Sequence, residues 1–191
     1  MGTSTTAAHA KSLIDKIYYL AQFKQRAVTL KQLFEFGLEP TKERLLMAAQ
    51  FLPHGRAVGV DVWSSKDQSG NAELVTRQNA ALEGVAERVE LHTADMRQLP
   101  FEDGSFDVVV SSLAIHNISG AGERAKAVRE AARVLKSGGK LAIADIRHTR
   151  AYATELEACG LRITERRSLG VRFWYAAGPW AATRLVAAVK P

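Results

Sequence analysis

Two short runs constrain this chain more than any other feature. FDVVVSS at 106–112 and KLAIADI at 140–146 are almost continuously apolar, and a helical stretch at 125–135 and the turn Ser137-Gly138-Gly139 separate them. A strand with no polar face must be covered on both sides, as strands of a parallel sheet are. Strand, helix, turn and strand in that order form a βαβ unit, which sets the fold class as α/β.

The rest of the chain from residue 56 continues the alternation. Ala57-Val58-Gly59-Val60 is a short apolar strand ending in Asp61, residues 70–83 read as a helix, and RVELH at 88–92 reads as a strand. A helix at 149–158 stops at Gly160, and residues 161–166 and 184–190 carry strand patterns. The segments at 58–60, 108–110 and 141–144 are the expected buried strands. The first 55 residues read differently. Apolar residues at helical spacing predict helices over 12–23 and 28–36, and Thr41 caps a third helix that runs to Leu52 before Pro53 and Gly55. Two units are therefore expected: a helical extension over 1–55 and an α/β domain over 56–191.

Composition excludes several classes. At 191 residues with 47% hydrophobic and 24% charged residues, the chain can bury a full core and is no disordered tail. Its single cysteine, Cys159, rules out an internal disulfide and suits a reducing, cytoplasmic setting. No apolar run is long enough for a transmembrane segment, and Lys11 and Asp15 interrupt any signal-peptide pattern. The five histidines are dispersed, so no metal-ligand spacing is present. The charge is uneven: residues 147–191 carry eight Lys/Arg against three Asp/Glu, a net +5. Such an end can attract an anionic substrate, nucleic acid or a membrane, or serve only as a solvated basic face. Nucleic acid is the weaker reading, because Phe173, Trp174, Tyr175 and Trp180 are more often core and lid residues than stacking platforms.

In an open α/β sheet, ligands bind beyond the carboxyl ends of the strands. That rule selects Asp61, Asp95-Met96, residues 111–117 and the segment from Asp145. Asp61 can accept two hydrogen bonds from ribose hydroxyls, or cap the helix that follows. Asp95 can accept the exocyclic amine of adenine with Met96 packed on the ring, or form a turn. His116 is a base, a substrate contact or a structural hydrogen-bonding residue, and Asn117 is equally open.

Taken in order, the stretches RAVGVDVW, ADMRQLPFEDGSFDVVVSSLAIHN and AVREAARVLKSGGKLAIADI resemble the class I S-adenosylmethionine-dependent methyltransferases, and the likeness covers residues 56–191. LPFEDGSFDVVVSS before a helix and VLKSGG is similar to the branch that acts on small molecules. The resemblance implies a Rossmann-like, mostly parallel sheet, S-adenosylmethionine as cofactor and a small-molecule acceptor. It places Asp61 on the ribose, Val62 or Trp63 against the adenine, and Asp95 with Met96 in the adenine pocket. It places Ser111 beside the cofactor and brings His116 toward the substrate as the catalytic candidate.

One part of the family pattern is missing. Members open with a strand that ends in a glycine-rich turn, commonly D-x-G-x-G-x-G, whereas Gly37 is the only glycine here between residues 3 and 54. The expectation is a sheet without a normal first strand, and methyl transfer weaker than in a complete member. Instead, IYYLAQFKQRAVTLKQLFEFGLEPTKERLLMAAQFL, within residues 12–52, resembles the start of the mitochondrial pyruvate and branched-chain ketoacid dehydrogenase kinases. That likeness adds a mitochondrial setting as an alternative. The rest of the chain has no counterpart to the kinases' ATP-binding region, and no kinase activity is implied. Two functions stay open: methyl transfer to a small molecule, or a methyltransferase-like scaffold without activity. A nicotinamide-binding domain is disfavoured by the lack of G-x-G-x-x-G. No sequence pattern bears on oligomeric state.

Overall fold

The computed structural model describes residues 18–22, 43–50, 52, 54–63, 72–170 and 182–191. In chain order the elements are β1 (Tyr18–Gln22), α1 (Glu43–Gln50), β2 (Arg56–Asp61), α2 (Glu73–Leu82), β3 (Val89–Thr93), β4 (Phe106–Ser112), α3 (Ala121–Val134), β5 (Leu135–Asp145), α4 (Thr149–Ala158), β6 (Arg162–Ser168) and β7 (Arg184–Val189). Single 3-10 turns stand at Ala86–Arg88 and Ile115–Asn117. The strands form one seven-stranded sheet in the order β3-β2-β1-β4-β5-β7-β6.

Alternation along β4 explains the layering. Val108 and Val110 pack on one face with Leu45, Ala49, Ala57 and Leu91. Val109 packs on the other with Val128, Ala131, Leu141, Ile143 and Leu156, joined by Phe106, which the register shift between Phe106 and Val108 takes out of the alternation. A strand covered on both faces by helices has no place for a polar side chain until its end, as the apolar runs required. Each fully buried Val, Leu or Phe contributes roughly 1.5–3 kcal/mol. The expected strands at 58–60, 108–110 and 141–144 all lie in this buried set or its strands.

The N-terminal reading needs correction. Residues 12–23 were expected to be helical and the first 55 residues to hold no strand, yet Tyr18–Gln22 is a strand. It lies between β2 and β4 and runs antiparallel to both, with Tyr18 opposite Val60 and Ser111, and Gln22 opposite Arg56. β2 is parallel to β3 and β4 is parallel to β5. The central position of the sheet is thus filled by a reversed strand, and no parallel first strand stands there among the described residues. Unsatisfied backbone groups on β2 and β4 supply a pairing site stronger than a helical propensity. The helix expected over 28–36 lies outside the described residues. The third expected helix is present as α1, with Leu45 and Ala49 fully buried against the sheet.

Two sequence motifs acquire a physical reason. The loop LPFED between β3 and β4 is held by α3: Arg133 donates to the carbonyls of Leu99 at 3.1 Å and Phe101 at 2.8 Å, and to Asp103 at 2.8 Å. Glu130 accepts the Leu99 N–H at 2.7 Å and pairs with Arg133. In Ser137-Gly138-Gly139, Gly138 has φ of +78°, and a Cβ on Gly139 would stand 2.7 Å from both Leu135 Cδ1 and the Lys136 carbonyl oxygen. The expected turn is therefore a tight kink within the long β5, and only glycine fits it.

Candidate functional site

The carboxyl edge of the sheet brings together the ends of β3, β2, β4 and β5, and the start of β7 lies beside them. Asp61 closes β2 and is buried at 7% exposure. Its Oδ1 accepts the Trp63 N–H at 2.8 Å, and its carbonyl accepts the Ala94 N–H at 3.1 Å. The helix-cap alternative fails, because α2 begins at Glu73 with Ala72 as its N-cap. Trp63 adopts φ of 52° and donates its indole N–H to Thr93 Oγ1 at 2.8 Å, which ties the turn after β2 to the end of β3. Val62, beside it, is 55% exposed, an apolar side chain open at the edge of the sheet.

Asp95 follows β3 and forms the turn that was its alternative role. Its Oδ1 accepts the Arg97 N–H at 2.8 Å, and both its oxygens take the Arg97 guanidinium. The hydrogen bonds from Arg97 hold this carboxyl below the usual carboxylate range, against a smaller opposing effect of burial. The guanidinium also reaches Glu123 at 2.9 Å. Met96 packs at the edge of the larger core cluster. Asp95 can receive an amine only where Arg97 yields part of its hold.

Ser111, near the end of β4, is 1% exposed, and its Oγ has no hydrogen-bond partner among the described residues. A buried hydroxyl without a partner is costly. Beyond it the chain turns sharply. Leu113 takes φ of 54°, its N–H bonds to the Ala144 carbonyl at 2.8 Å, and the Asn117 amide donates to the carbonyls of Leu113 and Ala114 at 3.1 and 3.2 Å. A left-handed leucine is strained, and such residues persist where the surroundings hold them. Asn117 is therefore a structural clamp of this turn.

The turn delivers His116 to the end of β5. Asp145 is fully buried, and Oδ2 accepts the His116 backbone N–H at 3.0 Å while Oδ1 accepts the Ile146 N–H at 2.8 Å. Nδ1 of His116 lies 2.6 Å from Oδ1 of Asp145, an ion pair when the ring is protonated, although the approach is too oblique for a straight hydrogen bond. The imidazole is 16% exposed. The Tyr152 hydroxyl stands 3.5 Å from Oδ2, and burial pushes its ionisation well above the ordinary range, so it remains a neutral donor. Sequence reasoning marked the neighbourhood of Asp145 but assigned that residue no part. Its role emerges only when the turn at 113–117 folds back across β5.

The residues present fit a nucleoside cofactor at the β2–β4 half of this edge. Asp61 offers a carboxylate at a buried strand end, and Ser111 offers an unsatisfied hydroxyl. They do not include a glycine-rich turn. Because β1 is reversed, its carboxyl end at Gln22 lies at the opposite edge of the sheet, and Tyr18 lies at the cofactor edge. Among the described residues no group of three His, Cys, Asp or Glu side chains could hold a metal, and no helix is long and apolar enough to cross a membrane.

A family model described as a methyltransferase domain matches residues 40–143, more than half of the chain. The match begins inside the stretch that resembles the ketoacid dehydrogenase kinases, and nothing in these comparisons supports that second likeness. The methyltransferase GfsG of Streptomyces halstedii is 42% identical over 78 residues, 41% of this chain and 27% of that protein. The ubiquinone/menaquinone biosynthesis C-methyltransferase UbiE of Pseudomonas putida is 36% identical over 91 residues, 48% of this chain and 32% of that protein. The chain thus matches about a third or less of the length of these relatives. A geranyl diphosphate methyltransferase, solved with geranyl diphosphate and sinefungin, has the same fold with a TM-score of 0.61 at 16% identity, covering 78% of this chain and 68% of that one. The chain belongs to the methyltransferase-domain family, with the Rossmann-like class I fold of S-adenosylmethionine-dependent enzymes.

Proposed function

We propose that this protein transfers a methyl group from S-adenosylmethionine to a small-molecule acceptor. The observation that carries this reading is the array along one sheet edge: Asp61 at the end of β2, the unsatisfied Ser111 hydroxyl on β4, and His116 anchored to Asp145 of β5. The relatives include a ubiquinone/menaquinone biosynthesis C-methyltransferase, which favours a small organic acceptor.

Bound at this edge, S-adenosylmethionine supplies an electrophilic methyl on a sulfonium. Asp61 accepts the ribose hydroxyls, with Val62 or Trp63 flanking the adenine. Asp95 accepts the adenine amine once Arg97 shifts toward Glu123, and Met96 covers the ring. Ser111 Oγ bonds the cofactor near its reactive end. With Nδ1 of His116 turned to Asp145, Nε2 is the nitrogen that takes a proton from the acceptor's nucleophile. Asp145 orients the ring and compensates its charge. Orientation supplies most of the acceleration in such a displacement. Without a glycine-rich turn to fix the methionine part, turnover is slower than in a complete member, since a misplacement of about 1 Å can cost on the order of a hundredfold.

The reversed β1 favours a second reading, a cofactor-binding scaffold without turnover. Incubation with methyl-labelled S-adenosylmethionine and a cell extract separates the two. Label in the small-molecule ultrafiltrate that depends on His116 supports methyl transfer. Label found only on nucleic acid or protein, or none above the His116→Ala background, overturns it.

A further inference from the structure

A second feature lies on the same edge of the sheet, beside Asp145. A cavity of about 520 Å³ opens where β6, β7 and the start of α4 meet, and Arg150, Arg166, Arg167 and Arg184 line it together with His148 and Ser168. Its volume is within the range of small-molecule sites, roughly 300–1,000 Å³. Four of the eight Lys/Arg of residues 147–191 therefore line one concavity.

Strand register explains the gathering. Arg184 opens β7 opposite Asp145, Ser168 lies opposite Arg184, and Arg166 lies opposite Val186. Directly opposed residues share a face of the sheet. Val186 packs in the core with Tyr152 and Leu156 of α4, so this face is the α4 face. Arg167 pairs with Glu165. Arg150, Arg166 and Arg184 have no carboxylate partner among the described residues. Arginines that outnumber the neighbouring acids Glu165 and Asp145 in one concavity form a net positive potential suited to an anion. Guanidinium groups bind phosphate and carboxylate through paired, charge-assisted hydrogen bonds.

The cavity adjoins the His116 site. His148 on its wall stands 6.4 Å, ring centre to ring centre, from Tyr152, whose hydroxyl reaches Asp145. Arg184 is the antiparallel partner of Asp145, so their Cα atoms are about 5 Å apart. The geometry points to an acceptor that carries an anionic group, a phosphate or a carboxylate, held by Arg150, Arg166 and Arg184 while its nucleophile extends toward His116. This rests on the methyl-transfer reading and names the substrate class for it. A concave site of this size selects a small anion over an extended nucleic-acid backbone.

The test is calorimetric titration of the full chain with inorganic pyrophosphate, with succinate and, separately, with S-adenosylhomocysteine. It compares wild type with Arg166→Ala/Arg184→Ala and with Arg150→Ala, and circular dichroism checks that each variant is folded. These arginines are exposed, so their loss leaves the core intact. The expected result is that one anion binds wild type and weakens by about tenfold or more in the double variant, while S-adenosylhomocysteine binds all three equally. Preference for pyrophosphate identifies a phosphorylated acceptor, and preference for succinate a carboxylate. If S-adenosylhomocysteine binds but neither anion does, or the anion affinity is unchanged in every variant, the inference is overturned and the methyl-transfer reading stands. If the anion binds in an arginine-dependent way but S-adenosylhomocysteine does not bind at all, the methyl-transfer reading falls and the anion site remains. A short single-stranded oligonucleotide that binds more tightly than either anion, and is lost in the double variant, overturns the small-acceptor assignment.

Discussion

Asp145 grips His116 at two points: Oδ2 accepts the backbone N–H at 3.0 Å, and Oδ1 lies 2.6 Å from the ring Nδ1. A carboxylate with no exposed surface thereby fixes the position of the residue and sets a negative charge beside its ring. Such a hold connects the end of β5 to the turn after β4, so the strained Leu113 backbone and the candidate base form one unit.

Asp145→Ala should therefore cost stability as well as activity. It leaves the His116 and Ile146 N–H groups buried without an acceptor, at about 1–3 kcal/mol for each group. Asp145→Asn keeps one carbonyl oxygen, an acceptor for one of the two N–H groups, and should unfold less readily than Asp145→Ala, yet still lower kcat with little change in KM. Chemical denaturation and steady-state kinetics on both variants check this. Equal stability and equal kcat in all three proteins would remove Asp145 from the site.

His116→Ala should lower kcat by about 10²–10⁴, the usual contribution of a positioned base. Its affinity for S-adenosylhomocysteine should be unchanged, because the ring belongs to the acceptor half. A loss of cofactor affinity without loss of kcat would move His116 to the other half of the edge.

Arg97→Ala should tighten nucleoside binding several-fold. The guanidinium occupies the Asp95 carboxylate, and its removal frees an acceptor for the adenine amine. The pair is about two-fifths exposed, so little stability should be lost. Weaker binding in Arg97→Ala would show that Asp95 is a turn residue and that Arg97 itself supports the site.

The anchor of the LPFED loop gives a pH prediction. Its hydrogen bonds to Arg133, the largest cause, and to the Leu99 N–H hold the Glu130 carboxyl below its ordinary 4.5, against opposing burial. A depressed carboxyl contributes stability that is present above pH 4.5 and is lost as pH falls through the folded-state value. Glu130→Gln should be less stable than wild type at neutral pH, and the difference should shrink as pH falls below 4.5 through the folded-state value. Urea melts across this range check it, and a pH-independent difference would contradict it.

The parts legible in the sequence were those with local causes. FDVVVSS and KLAIADI could only be buried strands, and Asp61 could be placed because an acid directly follows an apolar run. Tyr18–Gln22 was misread because Leu13, Ile17 and Leu20 repeat at helical spacing, while its strand state depends on pairing with β2 and β4, residues far away in the chain. The engagement of Asp95 by Arg97 was equally hidden, since no spacing rule says whether a neighbouring arginine turns toward an acid or away. Net charge hinted at the basic cavity. Its assembly from residues 150, 166, 167 and 184 required the register of β6 against β7.

The central claim is that the β2–β4 half of this edge binds the cofactor despite the missing glycine turn, with Asp61 on the ribose. Calorimetric titration of the full chain with S-adenosylhomocysteine tests it most directly. The account expects saturable binding at one site per chain, weakened in Asp61→Ala by about 1.5–3 kcal/mol, roughly a tenfold to hundredfold rise in Kd. Absence of saturable binding to the wild-type chain, or the same Kd in Asp61→Ala, would contradict it.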